Sequence, residues 1–352
     1  MKEITVDQLL QLNNAVPVDV RSPGEYKEFR IPGAVNIPLF TDEERAMIGT
    51  IYKQEGSDVA KWRAMEIVSP KIPSMLGQIR ELHENGHLPV IYCWRGGMRS
   101  KAVATFMAFA GISLPRLIGG YRGYRQYILE KIPTMLPDKA ITLHGMTGVG
   151  KTDILKGLRE QGLPVIDLEG LAGHRGSIFG TFGLFPGNNQ KTFDSLLFQS
   201  LSEIKDSSFF LIEAESKRIG KVVLPDELLI RKQQGMNLNL QASIPSRVER
   251  IYQDYVKPYL EEGWFYEKVI ERLAFIKKRL KNREIIELLD EEATAQNYKS
   301  VIKILLEDYY DPRYTHKHME YKEPFLHIDA ENTHDAIKEI MKVIASKEAF
   351  SK

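Results

Sequence analysis

The sequence predicts an α/β protein made of two parallel-sheet units, the second carrying a helical C-terminal region. Three observations carry this. Short apolar runs of strand length alternate with helix-prone stretches through both halves of the chain. Two glycine-rich loops, at residues 93–100 and 145–152, each follow an apolar run and precede a helix-like one. From about residue 226 the chain becomes highly charged and mostly helix-prone. Pro133 and Pro137 flank the expected boundary, giving domains at 1–135 and 136–352.

Taken in order, Pro17 to Arg21, Ala34 to Pro38, Pro89 to Tyr92 and Pro115 to Ile118 read as strands, the last followed by the Gly119-Gly120 turn. Residues 41–72 are polar and helix-prone, as an insertion would be, and residues 73–86 read as a helix stopping at Asn85-Gly86. In the second half, Lys139 to His144, Pro164 to Asp167, Phe209 to Ile212 and Leu326 to Asp329 read as strands, and a closing helix runs to about 347.

Bulk properties exclude several classes. A length of 352 residues suits about two domains, and 43% hydrophobic residues can fill their cores. Lys and Arg number 48 against 47 Asp and Glu, so a nucleic-acid surface has to be a local patch and not a basic coat. Cys93 is the only cysteine, which rules out an intramolecular disulfide or a multi-cysteine zinc site and suits a reducing compartment. Met1 to Asp7 carry no secretory apolar core, and no apolar run reaches membrane-spanning length. The expectation is a cytoplasmic protein with no membrane partner; the sequence does not reveal its oligomeric state.

Cys93 opens the loop Cys93-Trp94-Arg95-Gly96-Gly97-Met98-Arg99-Ser100. Helix-end amides together with Arg95 and Arg99 favour a thiolate there and would hold an anion against the sulfur. With Asp19-Val20-Arg21-Ser22-Pro23-Gly24-Glu25-Tyr26, Ile31-Pro32-Gly33-Ala34 and Gly119-Gly120, this loop resembles the rhodanese (sulfurtransferase) domain over most of residues 1–130. The resemblance implies that Cys93 bears sulfur or selenium. Asp19 and Arg21 read, on their own, as residues that order the loop and not as chemical groups. The five residues between Cys93 and Arg99 also match the spacing of cysteine phosphatases, and make a cradle wide enough for a phosphate-like anion.

Gly145-Met146-Thr147-Gly148-Val149-Gly150-Lys151-Thr152 matches the pattern G-x-x-x-x-G-K-[ST] between a strand and a helix. Gly145, Gly148 and Gly150 let backbone amides turn onto phosphate oxygens, Lys151 adds charge, and Thr152 is placed to ligate Mg²⁺. Asp167 and Glu213, at two strand ends, are the candidate acidic partners. The pattern alone leaves diphosphate and ATP open as ligands.

Residues 167–177, with Phe179-Gly180, Glu213-Ala214-Glu215-Ser216-Lys217-Arg218-Ile219-Gly220 and Tyr309-Tyr310-Asp311-Pro312-Arg313-Tyr314, extend the likeness. Together with both loops they resemble the bacterial tRNA 2-selenouridine synthase family over nearly the whole chain; Ala214 stands where an acidic or polar residue is expected. The fold this implies is a rhodanese-like parallel-sheet domain followed by a P-loop NTPase-like α/β domain with a helical C-terminal region. The activity it implies is geranylation of the wobble 2-thiouridine of tRNA by geranyl diphosphate, then replacement of geranylthiol by selenium from selenophosphate. No tightly bound cofactor is expected beyond possible Mg²⁺, and a selenophosphate supply enzyme is a candidate partner.

On this reading Cys93, Arg95 and Arg99 serve the selenium step, and the P-loop serves the diphosphate. His174 and Arg175 are candidate contacts to substrate phosphate or base. Arg122 and Arg125, interleaved with Tyr121, Tyr124 and Tyr127, are candidate tRNA contacts, against a plain reading of tyrosines in and arginines out. Lys217, Arg218 and Lys221, then Arg247 and Arg250, then the cluster at 277–283, extend the basic patches, with 226–322 as the candidate tRNA-binding region. Phe179, Phe182, Leu184 and Phe185 are candidates for an apolar groove for the prenyl chain. The alternatives are a sulfurtransferase fused to an ATPase or kinase, a phosphatase–kinase, and a nucleotide-sensing RNA-binding module.

Overall fold

A computed structural model describes residues 2–174, 187–314, 321 and 324–346. The fold is α/β, and the chain divides into two compact units. One comprises Met1–Ile132 with Asp194–Phe198, the other Pro133–Phe193 with Gln199–Lys352.

In the first unit, β1 (Glu3–Ile4), β2 (Ala15–Asp19), β3 (Val35–Asn36), β4 (Leu88–Tyr92) and β5 (Arg116–Leu117) form a sheet in the order β1-β5-β4-β2-β3. Every pairing is parallel. Val90, Ile91 and Tyr92 of β4 are fully buried, as expected of a central strand covered on both faces. The helices are α1 (Val6–Gln11), α2 (Pro23–Glu28), α3 (Asp42–Gln54), α4 (Ser57–Val68), α5 (Ile72–Glu84), α6 (Met98–Phe109) and α7 (Gly120–Met135). Thr5 with Gln8 and Thr41 with Glu44 form reciprocal capping boxes that start α1 and α3. Val18, Ile79, Ile91, Val103 and Met107 sit at the centre of this unit's core. The polar stretch at 41–72 forms the pair α3 and α4; α3 buries no residue at all.

In the second unit, β6 (Lys139–His144), β7 (Val165–Ile166), β8 (Phe209–Glu213), β11 (Met236–Gln241) and β12 (Phe325–Asp329) form a parallel sheet in the order β12-β11-β6-β8-β7. Between β8 and β11, β9 (Arg218–Ile219) and β10 (Val222–Val223) make a small antiparallel pair. The helices are α8 (Lys151–Glu160), α9 (Leu168–Ala172), α10 (Gln190–Glu203, of which Asp194–Phe198 belong to the first unit), α11 (Asp226–Gln234), α12 (Ile244–Tyr255), α13 (Phe265–Lys277), α14 (Arg283–Thr294), α15 (Tyr298–Leu305), α16 (Asp311–Tyr314) and α17 (Thr333–Ser346). Helices α12 to α15 pack around their own core of Val269, Leu273, Leu289, Val301 and Leu305.

β11 departs from the expectation that the chain is helical from 226. Its sequence, Met-Asn-Leu-Asn-Leu-Gln, hides a buried strand because its polar residues find partners. Asn237 bonds the His144 ring at 3.0 Å, and Gln241 the His327 ring at 3.1 Å. Residues 236–241 therefore belong to the sheet and not to the helical region.

Candidate functional site

β4 delivers Cys93 to the carboxyl end of the first sheet's middle strand, where open parallel sheets hold their ligands. Cys93 is buried; its Sγ donates to Ser100 Oγ at 3.3 Å, and that hydroxyl donates to Gly97 O at 3.1 Å. The loop carbonyls are tied from outside. Tyr121 N–H donates to Cys93 O and Arg122 N–H to Trp94 O, both at 2.9 Å. The Arg116 guanidinium donates to Gly96 O at 3.2 Å and Gly97 O at 3.5 Å. In a trans peptide the next N–H points opposite the carbonyl. The amides of Trp94, Arg95, Gly97 and Met98 are thus turned away from these anchors, as an anion cradle requires. Gly120 makes the approach possible: with φ +56°, a Cβ there would lie 2.2 Å from Cys93 O.

The two loop arginines differ. Arg95 is exposed and has no ion pair among the described residues. Arg99 is turned onto Glu25, with contacts of 2.5 and 3.2 Å. Burial pushes the Glu25 carboxyl up, but the Arg99 hydrogen bond and the charges of Arg99 and Arg45 outweigh it and hold the group below its ordinary value. Asp19 and Arg21 form a fully buried pair at 2.6 Å, and Arg21 also donates to Phe29 O at 2.7 Å. Phe29 packs on Trp94 and Tyr121, so this pair supports the loop from beneath.

In the second unit β6 feeds residues 145–150, and α8 begins at Lys151. β6 lies between β11 and β8, at the point where strand order reverses, so its carboxyl end opens a crevice. Gly145, Gly148 and Gly150 all have positive φ. A Cβ on Gly148 would lie 2.7 Å from Ile251 Cδ1 and 3.0 Å from Arg247 O. Lys151 Nζ donates to Gly145 O at 2.8 Å, bending over the loop. Residues of the loop line a cavity of about 330 Å³, together with Glu169, Arg250, Tyr255 and Pro258.

Two arginines that the sequence offered to tRNA are used here instead. Arg247 is almost fully buried; its Nε donates to Thr147 O at 2.8 Å, and its other nitrogens clasp Asp311 at 2.9 and 2.6 Å. Arg250 donates to Val149 O at 2.9 Å and to Ala330 O at 2.6 Å. Thr147 O and Val149 O being tied outward, the Gly148 and Gly150 amides point the other way. Asp311 gives a physical role to the 309–314 motif, which the sequence showed without explaining.

Acidic groups gather beside Thr152. Its hydroxyl donates to Glu169 Oε2 at 3.4 Å, and Glu169 N–H donates to Glu213 Oε1 at 2.7 Å. Asp167 caps α9 through Gly170 N–H at 2.8 Å. Glu213 is buried, and its Oε2 has no partner among the described residues. Burial first, then the Asp167 charge, push its carboxyl well above its ordinary value; the charges of Glu169 and Glu215 add to this, and the Glu169 amide opposes it. Thr152, Glu169 and the open Glu213 oxygen are hard donors that fit Mg²⁺. Among the described residues no three acidic, histidine or cysteine side chains converge as a complete cage; a Mg²⁺ ion held there by Thr152 and the carboxylates would supply charge neutralisation to a phosphate ligand. Glu169 lies within the 167–177 motif, but nothing in the sequence singles it out there as a site residue.

The remaining candidates are scattered. The His174 ring packs over Gly220, and its Nδ1 has no partner among the described residues. Arg175 lies outside the described residues, as do Phe179, Phe182, Leu184 and Phe185. Tyr121 and Tyr124 are buried, so they are not platforms for bases; Arg122 is exposed, and Arg125 pairs with Asp194 at 3.1 Å. Lys217 pairs with Asp226, and Lys277 with Asp290. Among the described residues no helix is long and apolar enough to cross a membrane.

Comparison with known proteins places this geometry. The family model of the tRNA 2-selenouridine synthase AAA domain matches residues 138–347, and that of the rhodanese-like domain matches residues 5–127. A tRNA 2-selenouridine synthase of Bdellovibrio bacteriovorus is 35% identical over 264 residues, covering 73% of this chain and 69% of that protein. One of Pseudomonas syringae is 32% identical over 340 residues, 88% of this chain and 90% of its own length. One of a Shewanella species is 33% identical over 331 residues, 85% and 87%.

Proposed function

The chain belongs to the tRNA 2-selenouridine synthase family, and on that premise we propose that it exchanges the sulfur of a wobble 2-thiouridine in tRNA for selenium by two successive transfers. In the first, the thiocarbonyl sulfur attacks the allylic carbon of geranyl diphosphate. The S–C bond forms, the C–O bond to diphosphate breaks, and the N3 proton is lost. The 145–152 loop binds the departing diphosphate: its amides and Lys151 stabilise negative charge as it develops. Mg²⁺, held by Thr152 and the neighbouring carboxylates, would supply further charge neutralisation there.

In the second transfer, selenium of hydrogen selenophosphate attacks C2 of the S-geranylated base. The C–Se bond forms, the C–S bond breaks with its electron pair on sulfur, and the thiolate takes a proton to leave as geranylthiol. Water then cleaves the P–Se bond, leaving 2-selenouridine and hydrogen phosphate. Cys93 and Arg95 serve this step, the loop holding the anion with selenium at the thiol, and Arg99 positions the loop through Glu25. Alkylation is chemically sensible because a thioether sulfur leaves more readily than a thiocarbonyl sulfur.

The observation that carries this reading is one chain bearing both an amide-lined thiol loop and a phosphate loop within a family match covering most of its length. The test is nucleoside mass spectrometry on 2-thiouridine tRNA incubated with geranyl diphosphate, with and without selenophosphate. S-geranyl nucleoside without selenophosphate and 2-selenouridine with it are expected. Unchanged 2-thiouridine in both would overturn the reading in favour of a sulfurtransferase–ATPase.

A further inference from the structure

Helices α3 and α4 present apolar side chains with little core beneath them: α3 buries none of its residues, and α4 only Ala60 and Val68. The space a core would fill is a cavity of about 760 Å³ between α3, α4 and α6, wholly within the first unit. Small residues keep it open, among them Gly49, Ala60, Ala64 and Ala102. Ile48, Met65 and Phe106 give it apolar walls, while Arg45, Lys53, Lys61 and Arg99 bring positive charge to it. Among the described residues no carboxylate lines it, although Glu25 engages Arg45 and Arg99, and Asp58 engages Lys61. Lys53 has no ion pair among the described residues.

Met98 and Arg99 line this cavity and also belong to the Cys93 loop. The apolar chamber therefore adjoins the place assigned to selenium transfer. Its volume lies within the roughly 300–1,000 Å³ of small-molecule pockets, and its walls suit a ligand without polar atoms. The smaller P-loop cavity, lined by Lys151, Thr152, Asp153 and Glu169, suits charge instead.

We propose, resting on the two-transfer reading above, that this cavity receives the geranyl chain of the S-geranylated base during the second step. An apolar chain attached to a nucleobase exposes surface that water disfavours, and burying it here would hold the C–S bond at the thiol loop while selenium attacks C2. The cations at the cavity complement the incoming selenophosphate. The same chamber then takes the chain of the departing geranylthiol, whose sulfur carries away the electron pair of the broken bond and a proton. On this proposal the prenyl receptor for the second step is formed by the 41–72 insertion and α6.

The test uses full-length protein, selenophosphate and anticodon stem-loops bearing 2-thiouridine alkylated on sulfur with either a geranyl or a five-carbon dimethylallyl chain. Selenation rates are read by mass spectrometry for wild type, Ala64→Phe and Ala102→Phe. Filling the cavity is expected to slow the geranyl substrate by at least ~10-fold while leaving the dimethylallyl rate within about twofold, since pocket selectivity for chain length is of this order. An unchanged ratio between the substrates, or equal losses on both, would overturn the proposal. A wild type that selenates neither substrate would instead sink the two-transfer reading on which it rests. Should either phenylalanine variant fail to fold, Met65→Trp at the exposed mouth poses the same question, and the same outcomes decide it.

Discussion

Removing the Asp311 carboxylate should loosen the phosphate loop from behind. Arg247 is nearly inaccessible, with 3% of its side chain exposed against 19% for Asp311, and the two are joined by two charge-assisted hydrogen bonds. In Asp311→Ala the guanidinium stays buried with only Thr147 O and the Met146 sulfur as partners among the described residues. Breaking a buried pair on one side costs about 3–5 kcal/mol, and the partial exposure of Asp311 argues for the lower end. At roughly 2–4 °C per kcal/mol for a unit of this size, the second unit's melting temperature should fall by about 6–12 °C. Hydrogen exchange should quicken at residues 145–150 more than in the 15–19 strand of the other unit. Adding Arg247→Met removes the stranded charge, so the double variant should be more stable than the sum of the singles by at least ~1 kcal/mol. A fall of less than about 2 °C for Asp311→Ala, or strict additivity in the cycle, would refute the clamp.

Gly148→Ala should cost affinity for inorganic diphosphate by ~10-fold or more, because φ is +78° and the new Cβ meets Ile251 Cδ1 and Arg247 O; calorimetry showing unchanged binding would remove the loop from the site. Glu25→Gln should free Arg99 and Arg45 and reduce selenation while sparing geranylation. Because the Glu25 carboxyl is held down in the folded state, its contribution to stability is present above the ordinary glutamate value of about 4.3 and fades as pH falls through its lowered value. Acid unfolding of the first unit should therefore be less steep in the variant, and identical curves would contradict the pairing. Glu213 has the opposite sign. Its raised carboxyl contributes stability fully below about pH 4.3, which is lost as pH rises toward the folded value, by at most about 1.4 kcal/mol per pH unit for one proton. Glu213→Gln should flatten that slope in the second unit, and a slope that survives the substitution would place the titration elsewhere.

The sequence was most legible where side-chain pattern and local backbone agree. β6, from Lys139 to His144, is an apolar run bounded by a helix end and a glycine loop, and it was read at full length. The strand entering Cys93 was clear for the same reason. β11 was not, because asparagine disfavours strands until a particular partner is supplied, and His144 lies 93 positions away. The α3–α4 pair was visible as helix-prone, but its meaning was not. Alanine and glycine on a polar helix look like ordinary surface until α6 is laid across from them and a cavity appears.

The same asymmetry runs through both anion loops. A motif records the side that faces the ligand: glycines with positive φ, a lysine, a cysteine. What turns those amides forward is the anchoring of the carbonyls behind them, and a planar trans peptide makes the two inseparable. In the first unit Arg116 and the opening turn of α7 do this; in the second, Arg247 and Arg250 do. These donors lie between 19 and 101 residues from the carbonyls they hold, at no motif spacing. In the sequence, Arg247 and Arg250 could be taken only as basic residues available to a nucleic acid. Once their partners are known, tRNA contact has to be sought among cations with no such duty, such as Arg95 and Arg122, which are exposed. Substituting Arg247 or Arg250 should then damage diphosphate binding without the loss of salt dependence that removal of a phosphate contact to RNA produces.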